Sequence, residues 1–168
     1  MSETEKSFKK RVLFLAILIM SIRIQTEDFD LSVELNRLRS DHRDIGAVVS
    51  FVGTVRDVND DDGVLSMELE HYPGMTESAL EEIESRARQR WDILDSIVIH
   101  RVGVLKPADQ IVLVAVASRH RGEAFRACEY MIDALKTQAP FWKKEQTAKG
   151  DIRWVKAKDS DESALKKW

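Results

Sequence analysis

Apolar residues recur along this chain with two periods, and the switches between them outline its elements. From Gln110 to Ser118 every interior position is apolar, the pattern of a strand covered on both faces. Val64 to His71 alternates instead. Leu65, Met67, Leu69 and His71 define one face and Ser66, Glu68 and Glu70 the other, which predicts a half-exposed strand. Ile45 to Val55 is rich in valine and predicts a buried strand, pairing with Val64–His71 as an antiparallel hairpin around a turn at Asn59-Asp60-Asp61-Asp62-Gly63. Ile22–Gln25 is a short strand. Ser96–Leu105 is another, joined to the Gln110 strand by Lys106-Pro107-Ala108-Asp109.

Helical spacing marks three segments. Glu123–Gln138 places Ala124, Phe125, Cys128, Met131, Ile132 and Leu135 at core spacing and stops at Ala139-Pro140. Leu31–Arg39 carries Leu31, Leu35 and Leu38, with Val33 beside them. After the break at Pro73-Gly74, Thr76 or Ser78 caps a helix running to about Trp91, with Ala79 or Leu80, Ile83, Ala87 and Trp91 as its buried stripe. Phe141–Thr147 and Ile152–Lys156 form a last strand pair around Lys149-Gly150-Asp151, before a short charged tail to Trp168. The order βαββαββαββα predicts a single α+β domain with mainly antiparallel sheet and packed helices.

The first 20 residues stand apart as an N-terminal extension, with the domain spanning 21–168. Lys9-Lys10-Arg11 followed by the apolar run Val12–Met20 resembles the start of a signal peptide, but no small-x-small cleavage site follows. The run is also far shorter than the roughly 20 residues of a membrane-spanning helix. A third reading, which we favour, takes Met20 as the native start. No membrane association is expected.

Composition removes several function classes. A net charge of -3 gives no global reason to expect nucleic-acid binding. Cys128 is the single cysteine, which excludes an internal disulfide and any Cys-built metal site and suits a reducing cytoplasm. It falls inside a helix, where a buried structural thiol is the default. His42, His71, His100 and His120 lack metal-ligand spacing, and there is no Gly-rich phosphate loop after a strand. No metal and no cofactor are expected.

Charge placement adds more. Asp57–Glu84 is mostly acidic, whereas Arg119–Lys158 is basic, reading either as solvated faces or as a pocket for an anion. Arg56 ends one strand, and Arg119, His120 and Arg121 follow another just before a helix, where cations meet an anion arriving at the helix N-terminus. Taken singly, each is ordinary surface chemistry. Lys136 lies in the last turn of its helix, where the plain reading is a favourable dipole contact. Lys143 and Lys144 follow Phe141-Trp142, and alternation sends Phe141 and Lys143 to one face and Trp142 and Lys144 to the other. One lysine is thereby drawn beside a large apolar group, where desolvation lowers an amine's pKa toward a nucleophilic range.

Blocks of sequence then match a known family. Gly46-Ala-Val-Val-Ser-Phe-Val-Gly-Thr-Val-Arg56, Leu69-Glu-His-Tyr-Pro-Gly-Met-Thr76, Ile99-His-Arg-Val-Gly103, Ser118-Arg-His-Arg121 and Leu135-Lys-Thr-Gln-Ala-Pro-Phe-Trp-Lys-Lys-Glu145 resemble, in order, the catalytic (large) subunit of molybdopterin synthase. The resemblance covers about Ser21 to Trp168 and implies a hammerhead-like α+β fold. It implies a sulfurtransferase that converts cyclic pyranopterin monophosphate (precursor Z) to the molybdopterin dithiolene in molybdenum cofactor biosynthesis. The sulfur donor would be the C-terminal Gly-Gly thiocarboxylate of a small ubiquitin-like subunit. Two large subunits would form a homodimer within a heterotetramer.

By that resemblance, Lys136 is the essential residue, activating the thiocarboxylate or transiently receiving its acyl group, and Lys143 accompanies it at the inserted tail. Arg56, His120 and Arg121 would hold the substrate's cyclic phosphate and pterin, with Thr54, Val55, Lys144 and Glu145 flanking them. His120 and Arg121 could serve the neighbouring subunit's site. The sequence departs from the family in its N-terminal extension and in Lys158, where some relatives carry arginine. Two rival readings remain: a docking module for a ubiquitin-like protein without chemistry, and an RNA-binding α+β domain. The second predicts exposed aromatics on a sheet face, whereas the aromatics here mostly fall at core or motif positions.

Overall fold

The structure, a computed structural model, describes residues 21–40, 42–59, 62–155 and 159–168. The N-terminal extension, Asp60, Asp61, Lys156 and Lys158 lie outside the described residues. The elements are β1 (Ile22–Gln25), α1 (Leu31–Ser40), β2 (Ala47–Thr54), β3 (Val58–Asn59), β4 (Asp62–His71), α2 (Met75–Arg90) and β5 (Asp95–Arg101). After them come β6 (Gly103–Leu105), β7 (Gln110–Ser118), α3 (Arg121–Gln138), β8 (Phe141–Thr147), β9 (Ile152–Val155) and α4 (Asp159–Leu165).

The strands form two sheets. The first runs β1-β5-β7-β2, with β1 parallel to β5 and the remaining pairs antiparallel. Its central strands are covered on both sides, which is why β7 is apolar throughout. Val98, Val112, Val114 and Val116 pack with Leu80, Ile83, Ala127 and Met131 of α2 and α3. Ile97, Ile99, Leu113, Ala115 and Ala117 face the other way, against Phe29 and Leu38 beside and within α1. The second sheet runs β3-β4-β8-β9, with β6 also paired to β4. A small cluster of Val55, Leu69 and Leu105 seats this sheet on the end of β2. The mixed α+β class with mainly antiparallel sheet is as expected.

Several local expectations are corrected. β2 and β4 are not a hairpin: β2 pairs with β7, and β4 pairs with β8 and β6. The residue patterns explain the separation. β2, apolar on both faces, joins the sheet covered twice, but as its edge strand it is half-buried and not the buried strand its pattern predicts; β4 carries Glu68 and Glu70 on a face that must meet water. The predicted strand Ser96–Leu105 splits at Gly103, whose φ of 85° turns the chain from the first sheet into the second. A register shift between Val64 and Ser66 buries Val64 and leaves Leu65 54% exposed, against the simple alternation.

The helices also differ in detail. Phe125 departs from the predicted core, being 60% exposed; α3 buries Ala127, Tyr130 and Ala134 in addition to Ala124 and the other expected residues. Three alanines bring the helix close to β7, and Phe125 falls beyond that stripe. Neither Thr76 nor Ser78 caps α2, because Gly74 at φ 84° is the capping position and its N–H donates to Glu77 Oε2 at 2.6 Å. The buried Thr76 hydroxyl meets the carbonyls of Tyr72 at 3.0 Å and Pro140 at 3.2 Å, joining α2 to the start of β8. The charged tail contains α4, anchored by Leu165 and Trp168 against the main core and by Trp168 Nε1–H donating to Asp133 at 2.9 Å.

Candidate active site

The ladder between β2 and β7 decides which candidate residues can meet. Ala47 lies opposite Ser118 and Thr54 opposite Gln110. Thr54, Val55 and Arg56 therefore leave the sheet at one end, while Arg119, His120 and Arg121 leave it at the other, about 24 Å away along the strand. Val55 is buried, and its N–H donates to Asp109 O at 2.9 Å while its carbonyl accepts from Ala108 N–H at 2.9 Å. These bonds fix the backbone just before Arg56, which is exposed where the chain leaves β2 beside the second sheet.

α3 runs back from the Ser118 end over β7 and β2, so its last turn returns Lys136 to the Arg56 end. Lys136 is exposed, and its Nζ lies 3.5 Å from Asp161 Oδ1 on α4. The chain then turns at Ala139-Pro140 into β8. On that strand Phe141, Lys143 and Glu145 point inward, with Lys143 opposite the fully buried Leu69. Lys143 and Lys136 are thus the two lysines that flank the α3–β8 junction. They share the Arg56 end of the fold.

Lys144 and Glu145 play different parts. Lys144 points to the outer face, with Nζ 2.8 Å from Glu68 Oε2 and 4.0 Å from Glu70 Oε1. The Glu68 hydrogen bond raises its pKa, the reverse of the softening expected for a lysine beside an aromatic group. The pairing of β4 with β8 also lets part of the acidic tract neutralise part of the basic one. Glu145 is 1% exposed and accepts from Arg153 at 3.4 Å, tying β8 to β9 inside the sheet.

At the far end, His120 is the capping residue of α3, and its carbonyl accepts from Glu123 and Ala124 N–H at 3.2 Å. Arg121 opens the helix, and both side chains are exposed. Arg119 is committed elsewhere: Asp92 accepts from it at 2.9 Å and Asp44 at 2.6 Å, and those carboxylates raise its pKa, Asp92 foremost. One chain therefore holds the candidate residues in two separate groups: Arg56, Lys136 and Lys143 at one end, His120 and Arg121 at the other.

His100 has little prominence in the residue pattern. It is 3% exposed, with Nδ1 2.8 Å from Arg101 O and its ring stacked on Phe141 at 3.7 Å between centroids. Burial pushes its pKa down to about 4, and the charges of Lys143 and His71 push the same way, against the hydrogen bond to Arg101. The available signal was one polar residue in the otherwise apolar run Ile97-Val-Ile-His100.

Cys128 is buried, as expected for a structural thiol, and burial pushes its pKa up to about 12. Among the described residues no group of His, Cys, Asp and Glu could hold a metal ion. No helix among them is long and apolar enough to cross a membrane. Trp142 and Trp154 are 46% and 57% exposed on the outer face of the second sheet, more aromatic surface than the sequence led us to expect. Glu68 and Glu70 share that face, which disfavours nucleic acid there.

Comparison with known proteins identifies the family. The family model described as MoaE protein matches residues 24–138. The molybdopterin synthase catalytic subunit of Ralstonia nicotianae is 64% identical over 148 residues, covering 88% of this chain and 84% of that protein. A solved structure described as the molybdopterin biosynthesis MoaE protein from Burkholderia ambifaria MC40-6 is similar at a TM-score of 0.76 and 55% identity. The match covers 89% of this chain and 98% of that one. The crystal structure of molybdopterin synthase from Staphylococcus aureus also has a TM-score of 0.76, at 31% identity, covering 82% of this chain and 98% of that one.

Proposed function

The chain belongs to the MoaE protein family, and on that premise we propose that it is the catalytic subunit of a molybdopterin synthase acting in molybdenum cofactor biosynthesis. The observation that carries the reading is the placement of Lys136, Lys143 and Arg56 at one end of the fold, around the junction between α3 and β8. A thiocarboxylate tail entering there from a small ubiquitin-like subunit meets two ammonium groups. These stabilise the anionic tail and the oxyanion that forms on its carbonyl oxygen when a nucleophile adds to the carbon, before the oxyanion collapses and the C–S bond breaks. Lys136, at the exposed helix end, activates the tail or transiently takes its acyl group. The acceptor of sulfur is cyclic pyranopterin monophosphate (precursor Z), in the cytoplasm.

Arg56 binds the acceptor's cyclic phosphate by a charge-assisted pair, beside Thr54 and Val55. Lys144 and Glu145 support this end indirectly by fixing β8 between β4 and β9. His120 and Arg121 complete the pocket from a second subunit of a homodimer, since their own chain holds them at the wrong end. The free edge of β2 supports that arrangement: among the described residues no strand pairs with it, and it carries no charged side chain. Antiparallel pairing of two such edges about a two-fold axis would bring the partner subunit's Arg121 toward Arg56. Phe51 and Phe125, exposed on β2 and α3, would be covered by such a dimer. With a small subunit at each end, the assembly is a heterotetramer.

Reconstitution with the thiocarboxylated small subunit and precursor Z tests the reading. Lys136→Ala should still bind the small subunit but form almost no molybdopterin. Near-normal product would sink the role of Lys136. Small-subunit binding without product by the unmodified chain would leave a docking module in its place.

A further inference from the structure

His100 is used by none of the roles above, yet it stands where the two sheets meet. Its Nδ1 lies 2.8 Å from Arg101 O, and a carbonyl only accepts, so Nδ1 carries the proton and Nε2 the lone pair. The ring lies 3.7 Å from that of Phe141, with 15° between their planes. His100 belongs to β5 in the first sheet; Phe141 opens β8 in the second and shares its inward face with Lys143. The stack is therefore a direct tie between the first sheet and the strand that carries Lys143. The preceding junction is pinned independently, by Thr76 Oγ1 on Pro140 O at 3.2 Å and Ala139 N–H on Leu135 O at 3.3 Å.

We propose that His100 is a positioning residue for Lys143: an uncharged ring, oriented by Arg101 and stacked on Phe141, that sets where β8 begins and hence where the Lys143 amine stands relative to Lys136. The inference rests on the reading of Lys143 as part of the sulfur-transfer site. Two charged or titratable side chains influence the ring, Lys143 from β8 and His71 from β4. A cationic imidazole would be repelled by Lys143, and its desolvation is what keeps the ring neutral. The stack is what seats Phe141; the Arg101 hydrogen bond adds a preference for one orientation of the ring.

Two variants separate the contributions. His100→Asn keeps an amide able to reach Arg101 O but loses the stack; His100→Phe keeps the stack but loses the hydrogen bond. Both should be studied below their melting temperatures, with trace acetic anhydride labelling of Lys143 read against pH by mass spectrometry. Lys167, exposed and paired with Glu129, serves as the internal reference. His100→Asn should change the Lys143 labelling profile and lower turnover about tenfold at saturating small subunit, because small misplacements of a reacting group are costly. The KM for the small subunit should stay within about twofold, since the tail's docking surface is untouched. His100→Phe should restore the labelling profile and most of the turnover. An unaltered Lys143 profile in His100→Asn, or a His100→Phe protein as impaired as His100→Asn, would overturn the proposal. Full activity in Lys143→Ala would instead reject the site reading, while the labelling would still report on His100.

Discussion

Arg121 and Lys136 stand at opposite ends of α3, fifteen residues and about 22 Å apart along its axis. Side chains so placed cannot close on one small substrate from a single chain. Arg56→Ala and Arg121→Ala proteins should therefore each be inactive alone yet complement when mixed. In a mixed dimer one site loses both arginines and the other keeps both. Equal mixing with free subunit exchange should restore up to about a quarter of wild-type product formation, since about half the dimers are mixed and each has one intact site. No recovery after verified exchange would mean that the two arginines do not serve a common intersubunit site.

Acid should weaken the fold through His100. Its pKa is about 4 in the folded chain against 6.5 ordinarily, so the unfolded chain binds the extra proton between those values. The contribution is fully present above about pH 6.5 and is lost progressively as pH falls toward 4, amounting to about 3 kcal/mol. Urea titrations at a series of pH values should show this slope in the wild type and a shallower one in His100→Phe. Equal slopes would contradict it.

Gly46→Ala should destabilise the protein by about 1–3 kcal/mol. A Cβ there would sit 2.2 Å from the carbonyl oxygen of Arg119, a backbone atom that cannot move aside cheaply. The Gly46 N–H donates to Ser118 O at 3.0 Å, so the disturbance falls on the segment leading to His120 and Arg121. A denaturation midpoint equal to wild type would show that the two backbones do not approach this closely.

Cys128 should resist thiol reagents in the folded protein. Its thiol is buried, and burial raises its pKa to about 12, leaving almost no thiolate near neutrality. Labelling with a disulfide reagent should follow global unfolding in urea. Rapid stoichiometric labelling of the native chain would show that α3 opens far more readily than its packing implies.

Much of this was legible along the chain because it depends on local period. The unbroken apolar run of β7 announced a strand covered on both faces, and the alternation of β8 correctly divided Lys143 from Lys144. The run Lys136–Glu145 could be seen as a helix end followed by a basic strand, and its resemblance to a family supplied a purpose for it. Pairing partners were not legible in the same way. β2 and β4 lie close in sequence, yet their faces demand different surroundings, and that choice is made by what packs on them: α3 lies over β2, whereas β4 meets β8 and β6.

The sequence by itself determined the α+β class, most of the elements within a few residues, and the identity of the charged groups, because each follows from side-chain period or residue type. Tertiary structure decided which of those groups lie at the same end of the fold. The antiparallel ladder of β2 with β7 and the reversal of α3 bring Arg56, Lys136 and Lys143 to one end and send His120 and Arg121 to the other. Folding also turned His100 from one polar letter in an apolar strand into a neutral ring stacked on Phe141. The reason is the same in both cases: distance along the chain carries no record of register or desolvation, which arise only when separate elements pack.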